Sequence, residues 1–222
     1  GCYEALFTLG DKPELRWDFA LTQLEQLGFS STHDYLINSM QKVNETFKLF
    51  PHANPGLMSF EEIKELKKYS PSGGLMIETF SKNIYDKGQA HYKTQTKFID
   101  LRIESLENAL QAMYPVTTGL LLGLTSTKDE VIDDITNIIL LIQNNMAIQE
   151  VILQNFRAKK NTIMKNNSEI TNDLFLRIIA TTRIYSPSHI SIQVPPNLSP
   201  DINLFLRSGI NDLGGISPLT ID

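Results

Sequence analysis

The chain has 222 residues, 41% of them apolar and 20% charged, with a net charge of −5 and one cysteine. That balance is the one expected of a single globular domain, spanning 1–222, with a sizeable core. It speaks against nucleic acid as a partner, because phosphate binding needs clustered Lys and Arg, and the lone Cys2 excludes a disulfide framework or an all-cysteine metal site built from this chain alone. No apolar run approaches the roughly 20 residues needed to span a bilayer, so no membrane partner is expected. The cysteine usage is that of a reducing cytoplasm, where the protein is expected.

The string Gly1-Cys-Tyr-Glu-Ala-Leu-Phe-Thr-Leu-Gly-Asp-Lys-Pro-Glu14 reads as a buried strand over 4–9 entering a Gly-Asp-Lys-Pro turn. A helix follows over 15–26 and another over 33–46, then a strand over 50–54. Ser59-x-x-Glu62 is a capping box opening a helix, and 74–79 reads as a strand ending in Glu78. A helix is predicted over 98–113 and a strand over 116–122. Thr127-x-x-Glu130 is a second capping box. Behind it Val131, Ile132, Ile135, Ile138, Ile139 and Ile142 share one helical face. A strand over 148–154, a helix capped by Thr171, a strand over 190–194, a short helix over 201–208 and a weak strand over 213–216 complete the chain.

Strand and helix alternate throughout, which implies an α/β fold with a parallel sheet and right-handed crossovers. The seven predicted strands are one short of the eight of a closed (β/α)8 barrel, and the missing one is expected before Gly1. On that expectation the chain is a truncated TIM-type barrel, incomplete at both ends. An open doubly wound sheet is the alternative, but no phosphate-binding glycine motif accompanies it.

In such a barrel the active site gathers at the C-terminal ends of the strands. Those positions are polar here: Thr8, His52, Glu78, Gln154, Asn155, Arg157, Gln193 and Asn197. Glu78 closes an apolar run and needs a partner there, whether a cation, sugar hydroxyls or a plain salt bridge. Arg102 shares a helical stripe with Leu106, Ala109 and Met113, so an inward guanidinium is expected near a helix N-terminus. It calls for a carboxylate or phosphate, or for a structural pair with a barrel carboxylate such as Glu78. His52 is the acid/base candidate among the four histidines, and no metal ligand set is expected within the chain. Gly119 and Gly123 mark a close backbone approach or a tight core.

Several strings together resemble a known family. They are the opening 1–14 string, Pro51-His-Ala-Asn-Pro-Gly56, Gly74-Leu-Met-Ile-Glu-Thr79 and Thr117-Thr-Gly-Leu-Leu-Leu-Gly123. They continue with Ile148-Gln-Glu-Val-Ile-Leu-Gln-Asn-Phe-Arg-Ala-Lys159, Gln193-Val-Pro-Pro-Asn-Leu198 and Gly209-Ile-Asn-Asp-Leu-Gly-Gly-Ile-Ser-Pro-Leu-Thr220. The whole resembles the first subunit of the FO synthases. These are radical S-adenosylmethionine lyases that make a deazaflavin from a tyrosine-derived 4-hydroxybenzyl adduct of ribitylaminouracil. The resemblance implies a radical SAM barrel with S-adenosylmethionine and a [4Fe-4S] cluster as cofactors. The cluster would sit on a Cys-x-x-x-Cys-x-x-Cys loop that this sequence lacks and that is expected before Gly1. By the same resemblance Thr8 and Gly10 would lie along the methionyl amino group, Glu78 near the ribose and Arg102 near the carboxylate. Gln154 and Asn155 would flank the adenine or the uracil ring. Ser126 departs from the pattern, standing where such enzymes often carry Glu. The alternatives are the sister FO synthase subunit, also a possible partner, a futalosine-pathway enzyme, or a non-catalytic barrel that lost its cluster.

Overall fold

The computed structural model describes residues 2–125, 127–162, 164–198 and 201–214. The expected alternation is present. In chain order the elements are β1 (Glu4–Thr8), α1 (Asp18–Gln26), α2 (Thr32–Phe47), β2 (Phe50–Asn54), α3 (Phe60–Leu66), β3 (Ser72–Gly74) and α4 (Ile99–Gln111). Then come β4 (Val116–Leu122), α5 (Lys128–Asn144), β5 (Ile148–Asn155), α6 (Asn172–Tyr185), β6 (Ser191–Gln193) and α7 (Ile202–Ser208). No described helix is long and apolar enough to cross a membrane.

Local chemistry starts these helices. Ser59 and Thr127 form both predicted capping boxes, each side chain accepting from the third helical N–H while Glu62 or Glu130 reaches back. Ser31 caps α2 by accepting from the Asp34 N–H, and Thr171 caps α6 by accepting from the Leu174 N–H. Gly209 ends α7 at φ 112°, a conformation that favours glycine.

The chain divides into two compact units, Gly1–Leu75 with Leu101–Val116, and Met76–Asp100 with Thr117–Asp222. In the first, β1, β2 and β3 are parallel neighbours, with Leu6 opposite His52, Thr8 opposite Asn54, and His52 opposite Ser72. Pro51 and Ala53 are buried, while His52 and Asn54 point to the other face. Ile63, Leu66 and Tyr114 are fully buried in this unit, and burial pushes the Tyr114 hydroxyl up to about 12 against a bond to Ser70 Oγ at 3.2 Å. In the second unit the order is β4-β5-β6, all parallel, and Ile138, Ile142, Ile148, Ile179 and Ile192 are wholly or almost wholly buried. Of the apolar face predicted for α5, Val131, Ile138 and Ile142 are buried and Ile135 and Ile139 half-buried, but Ile132 is 50% exposed, and Asp134 sits among the buried residues.

Several details differ from the sequence expectations. The first strand, expected to be buried, alternates between exposed and half-buried residues, with Leu6 65% exposed. The run 74–79 is not one strand: β3 stops at Gly74, and Glu78 returns as a single parallel bridge to Leu120. Glu78 adopts φ +68°, so the extended backbone breaks there, and the Thr79 N–H closes a three-residue turn onto Ile77 O at 2.9 Å. Met113 is 77% exposed, not on the inward stripe of α4, because the helix ends at Gln111 and Met113 takes φ +50°. The strand expected over 213–216 is not formed at its described residues; Asp212 makes one parallel bridge to Gln193, and 215–216 lie outside the described residues. Ser126 lies outside them as well.

Gly119 shows why glycine is needed on β4. A Cβ there would stand 2.1 Å from Ile152 O of the adjoining strand and 2.8 Å from the Met76 methyl. Gly123 lies just past the strand end at φ +94°, so its glycine serves a turn and not the strand face. Behind this region α5 anchors the segment that follows Glu78. Asp134 accepts from Thr79 Oγ1 at 3.0 Å and from the Phe80 N–H at 2.6 Å, and Glu130 accepts from Ser81 Oγ and Asn83 Nδ2. Burial raises the Asp134 carboxyl to about 6, overriding those two bonds, which favour its charged form.

Gly119→Ala is expected to lower stability by about 1–3 kcal/mol or more, because the clash is with a strand carbonyl that cannot move alone. Denaturant unfolding would measure it. Asp134 gives a pH signature. Its folded value of about 6 lies above the ordinary 3.8, so its stability contribution is full below pH 3.8 and is lost as pH rises through 6. Asp134→Asn keeps the accepting oxygen and removes the ionisation. Relative to wild type, its stability should rise between those pH values and settle on the order of 1–3 kcal/mol higher at pH 7. Thermal unfolding across pH 3.5–7.5 would read this, and an equal loss for both proteins would contradict it.

Candidate active site

The second unit holds a cleft of about 620 Å³ formed where several strand ends and loops converge. Glu78 stands on one wall, after β3, and Leu121 and Leu124 come from the end of β4 and the turn beyond it. The end of β5 and the loop after it supply Gln154, Asn155, Phe156, Arg157, Lys159, Thr162 and Met164. Pro195 and Asn197 come from the segment after β6. The floor is apolar: Ile84, Leu124, Phe156 and Met164 pack into one buried cluster, with Tyr85 and Leu121 against it.

Glu78 is the most constrained residue of this site. Its backbone is tied to β4 in both directions, with its N–H donating to Gly119 O at 2.9 Å and its carbonyl accepting from the Leu121 N–H at 2.8 Å. Its carboxylate accepts from Lys97 Nζ through Oε1 and lies 2.8 Å from His91 Nε2 through Oε2. A non-glycine residue in the left-handed region costs on the order of 1 kcal/mol or more, and such strain collects at functional sites.

The excursion that carries His91 and Lys97 is itself pinned. Tyr85 Oη accepts from the Ile99 N–H at 2.7 Å and donates to Lys97 O at 3.2 Å. Its ring packs on Phe98 at 4.8 Å and stacks on His91 at 6.3 Å. On the opposite side Arg157 Nη1 donates to Glu169 at 2.6 Å, and the same carboxylate accepts from the Ala158 N–H at 3.0 Å. The guanidinium holds the Glu169 carboxyl below its usual value. That carboxylate closes the loop running from 158 to 168.

Of the residues expected from the sequence, this cleft brings together Glu78, Gln154, Asn155, Arg157 and Asn197. Gln193 lies on β6, beside Gly214, and does not line it. Thr8, Gly10, His52 and Arg102 belong to the first unit. Thr8 and Gly10 are exposed, and no heavy atom lies within 4 Å of where a Gly10 Cβ would stand. His52 is half-buried, with Nδ1 2.9 Å from Ser72 Oγ; burial lowers its pKa, and the charge of Glu4 opposes this. Arg102 is buried at 5% exposure, on the inward stripe with Leu106 and Ala109. Nothing in the local sequence pattern marked His91 or Lys97 as partners of Glu78. They lie 13 and 19 residues beyond it in an irregular stretch, where neither helical nor strand periodicity assigns a facing direction.

No family model matches the chain. Curated relatives do. The chain is 38% identical over its whole length to the 7,8-didemethyl-8-hydroxy-5-deazariboflavin synthase of Methanopyrus kandleri and spans 66% of that protein. It is 39% identical to the protein of the same name from Methanocaldococcus jannaschii, spanning 62% of it. It is 40% identical to the FO synthase of Nocardia farcinica, of which it spans 26%. The chain thus covers between about a quarter and two thirds of these relatives. Among solved structures, methylornithine synthase (PylB) superposes with a TM-score of 0.72 over 95% of this chain and 56% of its own, at 19% identity. The hydrogenase maturase HydG of Carboxydothermus hydrogenoformans gives 0.72 over 96% of this chain and 46% of its own, at 16% identity. The fold shared with these two structures is a parallel α/β sheet, of which six strands lie among the described residues. With 38–40% identity sustained across its full length, the chain belongs to the family of the 7,8-didemethyl-8-hydroxy-5-deazariboflavin (FO) synthases.

Proposed function

We propose that this chain carries the substrate-handling part of a radical S-adenosylmethionine lyase that forms the deazaflavin FO. The substrate is the tyrosine-derived 4-hydroxybenzyl adduct of ribitylaminouracil, closed to the ring system with loss of ammonia. The observation that carries the reading is the convergence of Glu78, Gln154, Asn155, Arg157 and Asn197 on one cleft with an apolar floor. Such a cleft suits a ligand with a flat heterocycle and a polyol chain. The apolar floor takes the ring and keeps water from the reacting carbon, while the amides and the guanidinium fix its orientation.

S-adenosylmethionine fits the residues present. Glu78 offers a carboxylate, the natural acceptor for a ribose diol, at a strained strand-end turn. Arg102 offers a buried guanidinium, the natural partner of the methionyl carboxylate. Thr8 and Gly10 are assigned to the amino group, and Gln193 and His52 to the substrate's polar edge. When bound, this cofactor supplies a carbon-centred radical through one-electron cleavage; the chain's own residues bind, orient and exclude water. The [4Fe-4S] cluster does not fit this chain, because three thiolates are needed and one cysteine is present. Its ligands are assigned to residues preceding this sequence, and the chain by itself is assigned no turnover.

The test is the reaction, run with the protein expressed from its native gene context and reconstituted anaerobically with iron and sulfide. S-adenosylmethionine, a reductant and the adduct should yield fluorescent deazaflavin; deoxyadenosine release without deazaflavin would assign a different substrate. The chain alone, treated in the same way, should return only background iron and sulfide. In calorimetric titration Arg102→Met and Glu78→Gln should each weaken S-adenosylmethionine binding by on the order of 1.5–3 kcal/mol, the size of one hydrogen bond to a charged group. Thermal unfolding run beside it separates this from a structural pair, which would lower the melting temperature and leave the affinity of folded protein unchanged.

A further inference from the structure

His91 is 7% exposed and lines the cleft, yet the proposed reaction gives it no task. Its backbone N–H donates to Ile84 O at 3.1 Å, and its ring is held on two sides: the Tyr85 ring stacks on it, and Nε2 meets Glu78 Oε2 at 2.8 Å. A proton on Nε2 is required for that contact, since two acceptors repel. The other nitrogen, Nδ1, is buried and meets no hydrogen-bond partner among the described residues. Leaving a buried acceptor unmade is a cost, and a structure that retains one calls for a reason. A histidine serving packing alone would be replaced without loss by an apolar ring.

We infer that His91 is a positioning residue for Glu78. Its Nε2–H fixes one carboxylate oxygen, and Lys97 Nζ fixes the other. With each oxygen held by a different residue of the excursion 80–98, the carboxylate can neither rotate nor swing out of the cleft. The carboxylate is thereby presented at a set angle to a diol. The Tyr85 clamp on Lys97 O and the Ile99 N–H keeps the two donors at fixed spacing. The unsatisfied Nδ1 is the cost of placing an imidazole, and not an apolar ring, behind the carboxylate. This inference rests on the proposed role of Glu78 at a ribose.

The experiment is a calorimetric titration of S-adenosylmethionine into the chain carrying single and double substitutions, with thermal unfolding of each. His91→Leu should weaken binding roughly tenfold, the loss of one charge-assisted hydrogen bond. His91→Gln, which places an amide N–H where Nε2–H stands, should recover most of it. In a Glu78→Gln background His91→Leu should cost less than twofold, because its partner has lost its charge. Nitrogen-15 NMR of the wild-type chain should show a proton on His91 Nε2. Full affinity in folded His91→Leu, additive effects in the double variant, or an Nε2 without a proton would each overturn the inference and leave the proposed function standing. A wild-type chain that takes no S-adenosylmethionine would overturn both.

Discussion

The turn at Glu78 is the constraint on which the candidate site depends. A strand with an acidic side chain at its end would normally let that side chain swing into water. Here the backbone is hydrogen-bonded to β4 on both sides of a left-handed residue, and the carboxylate is bonded to two residues of a distant loop. The main-chain bonds offset the backbone strain, and the ion pair with Lys97 offsets desolvation of the charge. What results is a carboxylate held at a fixed place on the cleft wall.

The surroundings reinforce that placement from behind. α5 presents Glu130 and Asp134 to Thr79, Phe80, Ser81 and Asn83, so the segment leaving Glu78 is tied down at once. Asp134 is buried within an otherwise apolar face, and its ionisation is opposed by burial. The helix thereby gives up some stability near neutral pH for a fixed loop. On the β5 side the Arg157–Glu169 pair does similar work at the surface, where such a pair is worth little energy but sets the ends of the loop over the cleft.

Much of the architecture was legible in the residues. The two capping boxes, the isoleucine stripe of α5 and the strand–helix alternation are local signals, decided within a few residues of chain. So was the polarity of the strand ends, and five of those polar residues share one cleft. Where the expectations missed, backbone conformation was the reason. Glu78 and Met113 both take positive φ without being glycine, which no residue-type rule anticipates. The segment 74–79 therefore read as a longer strand than β3, and α4 read two residues too long at its C-terminal end.

The sequence by itself determined the order of elements, the starts of the helices, the need for glycine at position 119 and the membership in a family. These follow from short-range sterics, hydrogen-bonding type and the match of whole strings. The tertiary structure alone decided which groups meet Glu78. His91 and Lys97 arrive from an irregular excursion whose direction depends on Tyr85 and on the packing of Ile84 in one cluster with Phe156. Contacts of that kind are made by side chains far apart in sequence, and chain periodicity carries no information about them. The site's residue types are thus written locally, while their mutual distances come from packing.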